Sequence, residues 1–361
     1  MDNMKPIYQI HNVGIFIDST DKEWSDRIQE NIKVQFDGFE IYNGLRNIEY
    51  SLFIRNMEEL DKRNDAIVVP ECSKFYPGEI MRSDYTGVAY QIGDKYVNMW
   101  TSEETWYAPY LVEILFAAQG MTFVHGASVA VDGKEGKLLL AFGGIGKTCF
   151  IANAAKKKNV TILGDDLILV SKTGELFSYP RPFCLYEYHK TLFPQYFETH
   201  KVKYVHIEDN MYFKRFIRKM KKWLHIKDTS VYHYLTVSPV KLFPANKVEV
   251  NPVMIRDVYI LRRNQASNEV CVGEHNVQAE YAKNFALDVI LHEWDVGLKV
   301  LLNKHAQTYR NIQDYIQERN DILSEALSHA GSICCVDIPE KMNATDVSLA
   351  LNKIILEEKA Q

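Results

Sequence analysis

The chain has 361 residues, of which 47% are apolar and 25% charged, the proportions of an ordinary globular protein and not of a disordered or collagen-like one. A net charge of −5 argues against general nucleic-acid binding. Six scattered cysteines (Cys72, Cys149, Cys184, Cys271, Cys334 and Cys335) form no C-x-x-C pair and no zinc spacing, which favours a reducing compartment.

Residues 1–115 read as a smaller N-terminal α+β domain. Strand-like runs fall at 13–17 and 66–69, and residues 24–32 have helical character. Residues 88–92 and 96–100 alternate around Gly93-Asp94-Lys95, the pattern of a hairpin. No motif in this part carries chemistry. A helix is expected over 106–119, with Pro109 in its first turn and Leu111, Leu115 and Ala118 on one face.

The remainder, 116–361, reads as an α/β domain. It opens with a strand at 123–131, a turn at Asp132-Gly133 and a strand at 138–142. A short helix over 149–158 would turn Phe150, Ile151, Ala154 and Ala155 inward and end on Lys156-Lys157-Lys158, where cations suit the helix dipole. Two separate strands, 160–163 and 167–170, are expected on either side of Gly164-Asp165-Asp166, followed by one at 176–179. Residues 182–256 are looser, aromatic and basic, and read as an insertion. A strand at 258–261, helices over 279–304 and 312–330, a strand at 332–338 burying Cys334 and Cys335, and a helix over 344–356 with Asn343 at its cap complete the chain. The N-terminus lacks an apolar export segment, and no apolar run approaches the ~18 residues of a spanning helix, so a cytoplasmic location is expected.

The chemistry concentrates in Phe142-Gly143-Gly144-Ile145-Gly146-Lys147-Thr148-Cys149, which directly follows the apolar run 138–141. A strand, a glycine-rich turn and Gly-Lys-Thr is the layout of a phosphate-binding loop. Glycines let backbone N–H groups turn onto a phosphate, the lysine adds positive charge, and the threonine hydroxyl can hold Mg²⁺. The first glycine of the full pattern is replaced by Ala141. The bland alternative is a glycine turn with an exposed lysine. Asp165-Asp166 follows at a strand end, where one carboxylate can serve a metal while the other accepts the proton of an attacking hydroxyl. His125 lies on the strand before the one that feeds the loop. In isolation, the acidic pair would be a solvated turn and His125 a satisfied core or surface histidine.

Taken together, His125, the Gly144–Thr148 loop and Asp165-Asp166, with 17 positions from Thr148 to Asp165, resemble the HPr kinase/phosphorylase family. That family's core shares its phosphate-loop fold with phosphoenolpyruvate carboxykinase. The wording His125-Gly126-Ala127-Ser128-Val129 is similar to the branch that includes lasso-peptide precursor kinases. The resemblance implies ATP and Mg²⁺ as ligands, with Lys147 on the β/γ-phosphates and Thr148 on the metal. It makes Asp165 the base for the acceptor hydroxyl, Asp166 the metal-side partner and His125 a neighbour of the reacting phosphoryl group, the two aspartate roles being interchangeable at this level. The implied activity is transfer of the γ-phosphoryl group to a serine-type hydroxyl, on a ribosomal peptide precursor in the closest reading. A small-molecule hydroxyl such as free serine or a sugar is the enzymatic alternative, and a non-catalytic ATP-binding regulatory or assembly protein is the other. The acidic pair discriminates, since a switch needs only one metal-side carboxylate.

Residues 213–224 form a second feature. Phe213, Phe216, Ile217, Met220, Trp223 and Leu224 recur at helical spacing, and six cations fill the other face. Such a stretch suits an anionic membrane or an acidic partner, or it is an ordinary amphipathic helix with a solvated basic face.

Overall fold

Apolar residues alternating along the first hundred positions lay down one large sheet, and a second follows from residue 121 onward. The computed structural model describes residues 5–42, 44–69, 73–83, 86–200, 234–293 and 312–357. Among these, the chain is mixed α/β, with two large mixed sheets, a two-stranded ribbon and helices packed around them. The basic stretch 213–224 lies outside the described residues. No helix among the described residues is long and apolar enough to cross a membrane.

The first sheet contains β1 (Tyr8–Ile10), β2 (Val13–Ile17), β3 (Tyr50–Asn56), β4 (Ile67–Val69), β5 (Ser73–Tyr76), β6 (Ile80–Ser83), β7 (Val88–Ile92) and β8 (Tyr96–Thr101), in the order β1-β2-β3-β8-β7-β6-β5-β4. The pairs β2–β3 and β3–β8 are parallel, and β7–β8 is the expected hairpin. Helix α1 (Lys22–Phe36) makes the crossover between β2 and β3. Asp21 caps it by accepting from the Trp24 N–H, and Trp24, Ile28, Ile32 and Phe36 bury a stripe at i, i+4 spacing.

Helix α2 (Ala108–Ala117) follows, with Pro109 in its first turn. The expected single apolar face is in fact burial on all sides, because α2 lies against β3 and β8 of one sheet and β9 (Met121–Val131) of the next. Ala118, placed inward by the spacing, is exposed beyond the helix end. Buried Glu113 is therefore paired, with Arg319 Nη2 at 2.9 Å. One apolar core runs past α2 and draws on both sheets through Ile10, Trp24, Leu111, Phe123, Leu167 and Tyr179.

The second sheet orders as β10-β9-β11-β12-β15-β17-β16, with β10 (Glu135–Leu140) also parallel to β15 (Val253–Asn264). Strand β17 (Ser332–Pro339) lies parallel to β15 on its other side, and β16 (Cys271–Glu274) is antiparallel to β17. The glycine loop thus leaves the C-terminal end of a strand in a parallel set, the usual place for a ligand in an α/β sheet. Strand β11 (Val160–Ser171) is continuous where two strands were expected. Gly164, Asp165 and Asp166 pair with Ser128, Ala127 and Gly126 of β9, and the irregularity is absorbed as a register shift between Ile162 and Gly164. Strand β12 (Glu175–Phe177) closes the turn after it.

Helix α3 (Lys147–Ala154) starts and stops earlier than the sequence suggested, so Lys156, Lys157 and Lys158 lie beyond its end. Its start is fixed by Gly146, which stands in the left-handed region as the capping residue. Helices α4 (Ala279–Glu293) and α5 (Ile312–Ser328) pack on β9, and α6 (Ala344–Leu356), capped by Asn343, lies on α3. Within the expected insertion, the described residues include a ribbon of β13 (Phe183–Leu185) and β14 (Leu235–Val237).

Candidate functional site

The loop after β10 turns on two left-handed glycines, Gly144 (φ +73°) and Gly146 (φ +105°). A Cβ at Gly144 would meet nothing within 4 Å, so glycine is required there by backbone conformation and not by space. Ile145 between them is buried against the apolar core that includes α6, which anchors the loop. Ala141, in place of the pattern's first glycine, is fully buried, and its carbonyl is a hub. It accepts from His125 Nδ1 at 3.0 Å and from Lys147 Nζ at 3.0 Å.

Lys147 differs from the exposed loop lysine of the bland reading. It is only 7% exposed and folds back over its own loop, donating also to the Phe142 carbonyl at 2.9 Å. Burial pushes its ammonium below the usual lysine range, while Asp165, Asp166 and Glu293 act in the opposite sense. An ammonium held in this way by backbone carbonyls is ready to exchange them for stronger anionic acceptors.

Strand β11 then brings the acidic pair to the loop, and the two carboxylates meet different partners. Asp165 is buried, and Thr148 Oγ1 donates to its Oδ2 at 2.5 Å. Burial is the main reason its carboxyl is pushed up to about 6, against the pull of Thr148 and Lys147. Asp166 follows with a left-handed backbone (φ +75°) and a half-exposed side chain. Its Oδ1 faces His125 Nε2 at 3.0 Å, and its Oδ2 accepts from Arg181 Nη1 at 2.6 Å. Burial works against ionisation, yet the His125 hydrogen bond and the Arg181 charge hold its carboxyl well below the usual range. Both ring nitrogens of His125 face acceptors.

His125, Gly143, Gly144, Gly146, Lys147, Thr148, Cys149, Asp165 and Asp166 line one cavity of about 300 Å³. Ile145, between the two left-handed glycines, faces away from it into the core. The far wall is the β13 ribbon, with Cys184, Tyr186 and Tyr188, and Glu293 closes one side. Two functional candidates were not assigned a role from the sequence. Arg181 had a weak signal in Pro180-Arg181-Pro182, where flanking prolines fix an extended backbone. Glu293 had none, being 150 positions from the glycine it touches. No protein-family model matches the chain, and no curated protein matches it in sequence.

Proposed function

We propose that the chain is an ATP-dependent kinase with a phosphate-loop core of the HPr kinase/phosphoenolpyruvate carboxykinase type, acting on a serine-type hydroxyl. The observation that carries this reading is the division of the acidic pair: Asp165 on the Thr148 hydroxyl, Asp166 on His125 and Arg181. A nucleotide switch has use for the first carboxylate only. This division reverses the roles that the resemblance alone implied, giving the metal side to Asp165 and the acceptor side to Asp166.

The residues suit the ligands. Two left-handed glycines and a lysine satisfied only by backbone carbonyls make a cradle for phosphate oxygens. Among the described residues no group of three or more His, Cys, Asp or Glu could hold a metal by itself. Magnesium on a nucleotide requires no such cluster, since it keeps waters and phosphate oxygens and takes one or two protein oxygens. Thr148 and Asp165 would hold Mg²⁺, which would neutralise charge on the phosphates.

In the reaction, Lys147 exchanges the Ala141 and Phe142 carbonyls for phosphate oxygens. The acceptor oxygen forms a bond to the γ-phosphorus as the bond to the β–γ bridging oxygen breaks, and ADP leaves. The hydroxyl proton passes to Asp166. A carboxylate held at low pKa is a weak base, which suits a loose transition state in which orienting the hydroxyl matters more than early deprotonation. His125 and Arg181 fix that carboxylate.

For the acceptor, a peptide is favoured over free serine or a sugar. Exposed Tyr186 and Tyr188 line the cavity, with Tyr186 in ring contact with Tyr188 at 5.7 Å and with exposed Tyr234 at 5.8 Å. Aromatic clusters of this kind are what protein and peptide surfaces bind. A ribosomal precursor peptide of the lasso type is the specific acceptor proposed, on the sequence resemblance. The described cysteines are free thiols, in keeping with work in the cytoplasm. The test is transfer from γ-labelled ATP to serine-containing peptides. Asp166→Asn should lower transfer by about a hundredfold or more and leave ATP affinity within a few-fold. Near-normal turnover in that variant overturns the assignment.

A further inference from the structure

Helix α4 leans on the phosphate loop through its last described residue. The Gly143 N–H donates to Glu293 Oε1 at 2.7 Å. Two ring contacts key the same helix to the same loop. Phe142 meets Phe285 nearly edge-on at 5.6 Å and His292 at 5.9 Å. Residues 285 and 292 lie two helical turns apart on one face, so α4 presents Glu293 in a fixed relation to the loop.

A carboxylate on the N–H of a glycine-rich loop does electrostatically what a phosphate oxygen does there. The contact is shaped to admit it. A Cβ at Gly143 would come to 3.2 Å from both carboxylate oxygens of Glu293, so the missing side chain is what leaves room. The charge of Glu293 also reaches Lys147, where it is one of three carboxylates supporting the buried ammonium. In this state the loop's positive groups are engaged from within: the Gly143 amide by Glu293, the Lys147 ammonium by the Ala141 and Phe142 carbonyls.

We propose that Glu293 is an internal competitor of the nucleotide's phosphates, holding the Gly143 amide until a nucleotide displaces it, and so sets the affinity of the loop. The proposal rests on the phosphate-loop reading above. One N–H cannot serve two anions, and a phosphate arriving beside an unmoved carboxylate meets like charge. Glu293 is exposed, so water takes over its hydrogen bonds once it swings away. Release is therefore inexpensive, and the carboxylate tunes binding without blocking it.

The test uses the full chain and calorimetry with Mg²⁺ and ATP. Glu293→Gln keeps the shape and an acceptor oxygen but removes the charge; Glu293→Ala removes both. Each should bind ATP about three- to tenfold more tightly than wild type, the range for one exposed like charge. The wild-type deficit against Glu293→Gln should shrink as salt is raised. Unchanged or weaker ATP binding in both variants overturns the proposal. Lys147→Met separates the two failures. If wild type binds ATP, Lys147→Met loses it and the Glu293 variants gain nothing, the competitor is refuted and the phosphate loop stands. If wild type and both Glu293 variants are folded and bind no ATP, both readings fall.

Discussion

Asp165→Asn removes a charge that the fold holds at a cost, and the size of that cost follows from the site. The carboxylate is 6% exposed, and burial raises its pKa from 3.8 to about 6. At about 1.4 kcal/mol per pH unit, the gap amounts to roughly 3 kcal/mol. The sign follows from the direction. Because the folded carboxyl binds its proton more tightly than the unfolded one, stability is greatest below about pH 4. It declines as pH rises to about 6 and stays lower above it. Asparagine carries no such burden, and its carbonyl can still accept from Thr148. Lys147 then loses one of the carboxylates that support its charge, which offsets part of the gain. A net stabilisation of about 1–3 kcal/mol is expected at pH 8, vanishing near pH 4. Urea unfolding of both proteins at the two pH values measures it. Asparagine less stable than aspartate at pH 8, or a difference equal at both pH values, would refute the reasoning.

Acid should act oppositely through His11. It is buried, donates from Nε2 to the Ser178 carbonyl at 2.8 Å, and burial lowers its pKa from 6.5 to about 4. Its contribution is present above about pH 6.5 and lost as pH falls through 4, worth about 3 kcal/mol in full; His11→Gln should flatten that part of the acid-unfolding curve, and an unaltered curve would contradict it. Glu113→Ala should cost about 3–5 kcal/mol, because it strands the buried Arg319 guanidinium. The same carboxylate also accepts from Thr122 Oγ1 and the Phe123 N–H. A shift under 1 kcal/mol in the urea unfolding free energy would contradict the pairing.

The elements that were legible in the sequence are those with a local signature. The hairpin at 88–101 announces itself through alternation around Gly93-Asp94, and the loop at 143–146 through its glycines between strand and helix. Strand β3 was missed. Its apolar residues Leu52 and Ile54 are paired on both sides by strands distant in sequence, and tertiary pairing rather than local pattern defines it. The acidic pair looked like a break between two strands because Gly164 and two aspartates are poor strand formers; a register shift and pairing to β9 carry β11 straight through. The cavity's loop side was readable residue by residue, whereas its far side was not. Arg181 reaches Asp166, and Glu293 reaches Gly143, across 15 and 150 positions, and no spacing rule spans such a return.

The most direct test of the account is binding of Mg²⁺ and ATP by calorimetry to wild type and Lys147→Met, which keeps the side-chain stem in its buried slot. Saturable binding by wild type and a loss of about a hundredfold or more in the variant are expected, since charge-assisted hydrogen bonds to phosphate contribute roughly 1.5–3 kcal/mol each. Equal affinities in the two proteins, or a folded wild type that binds no nucleotide, would contradict it.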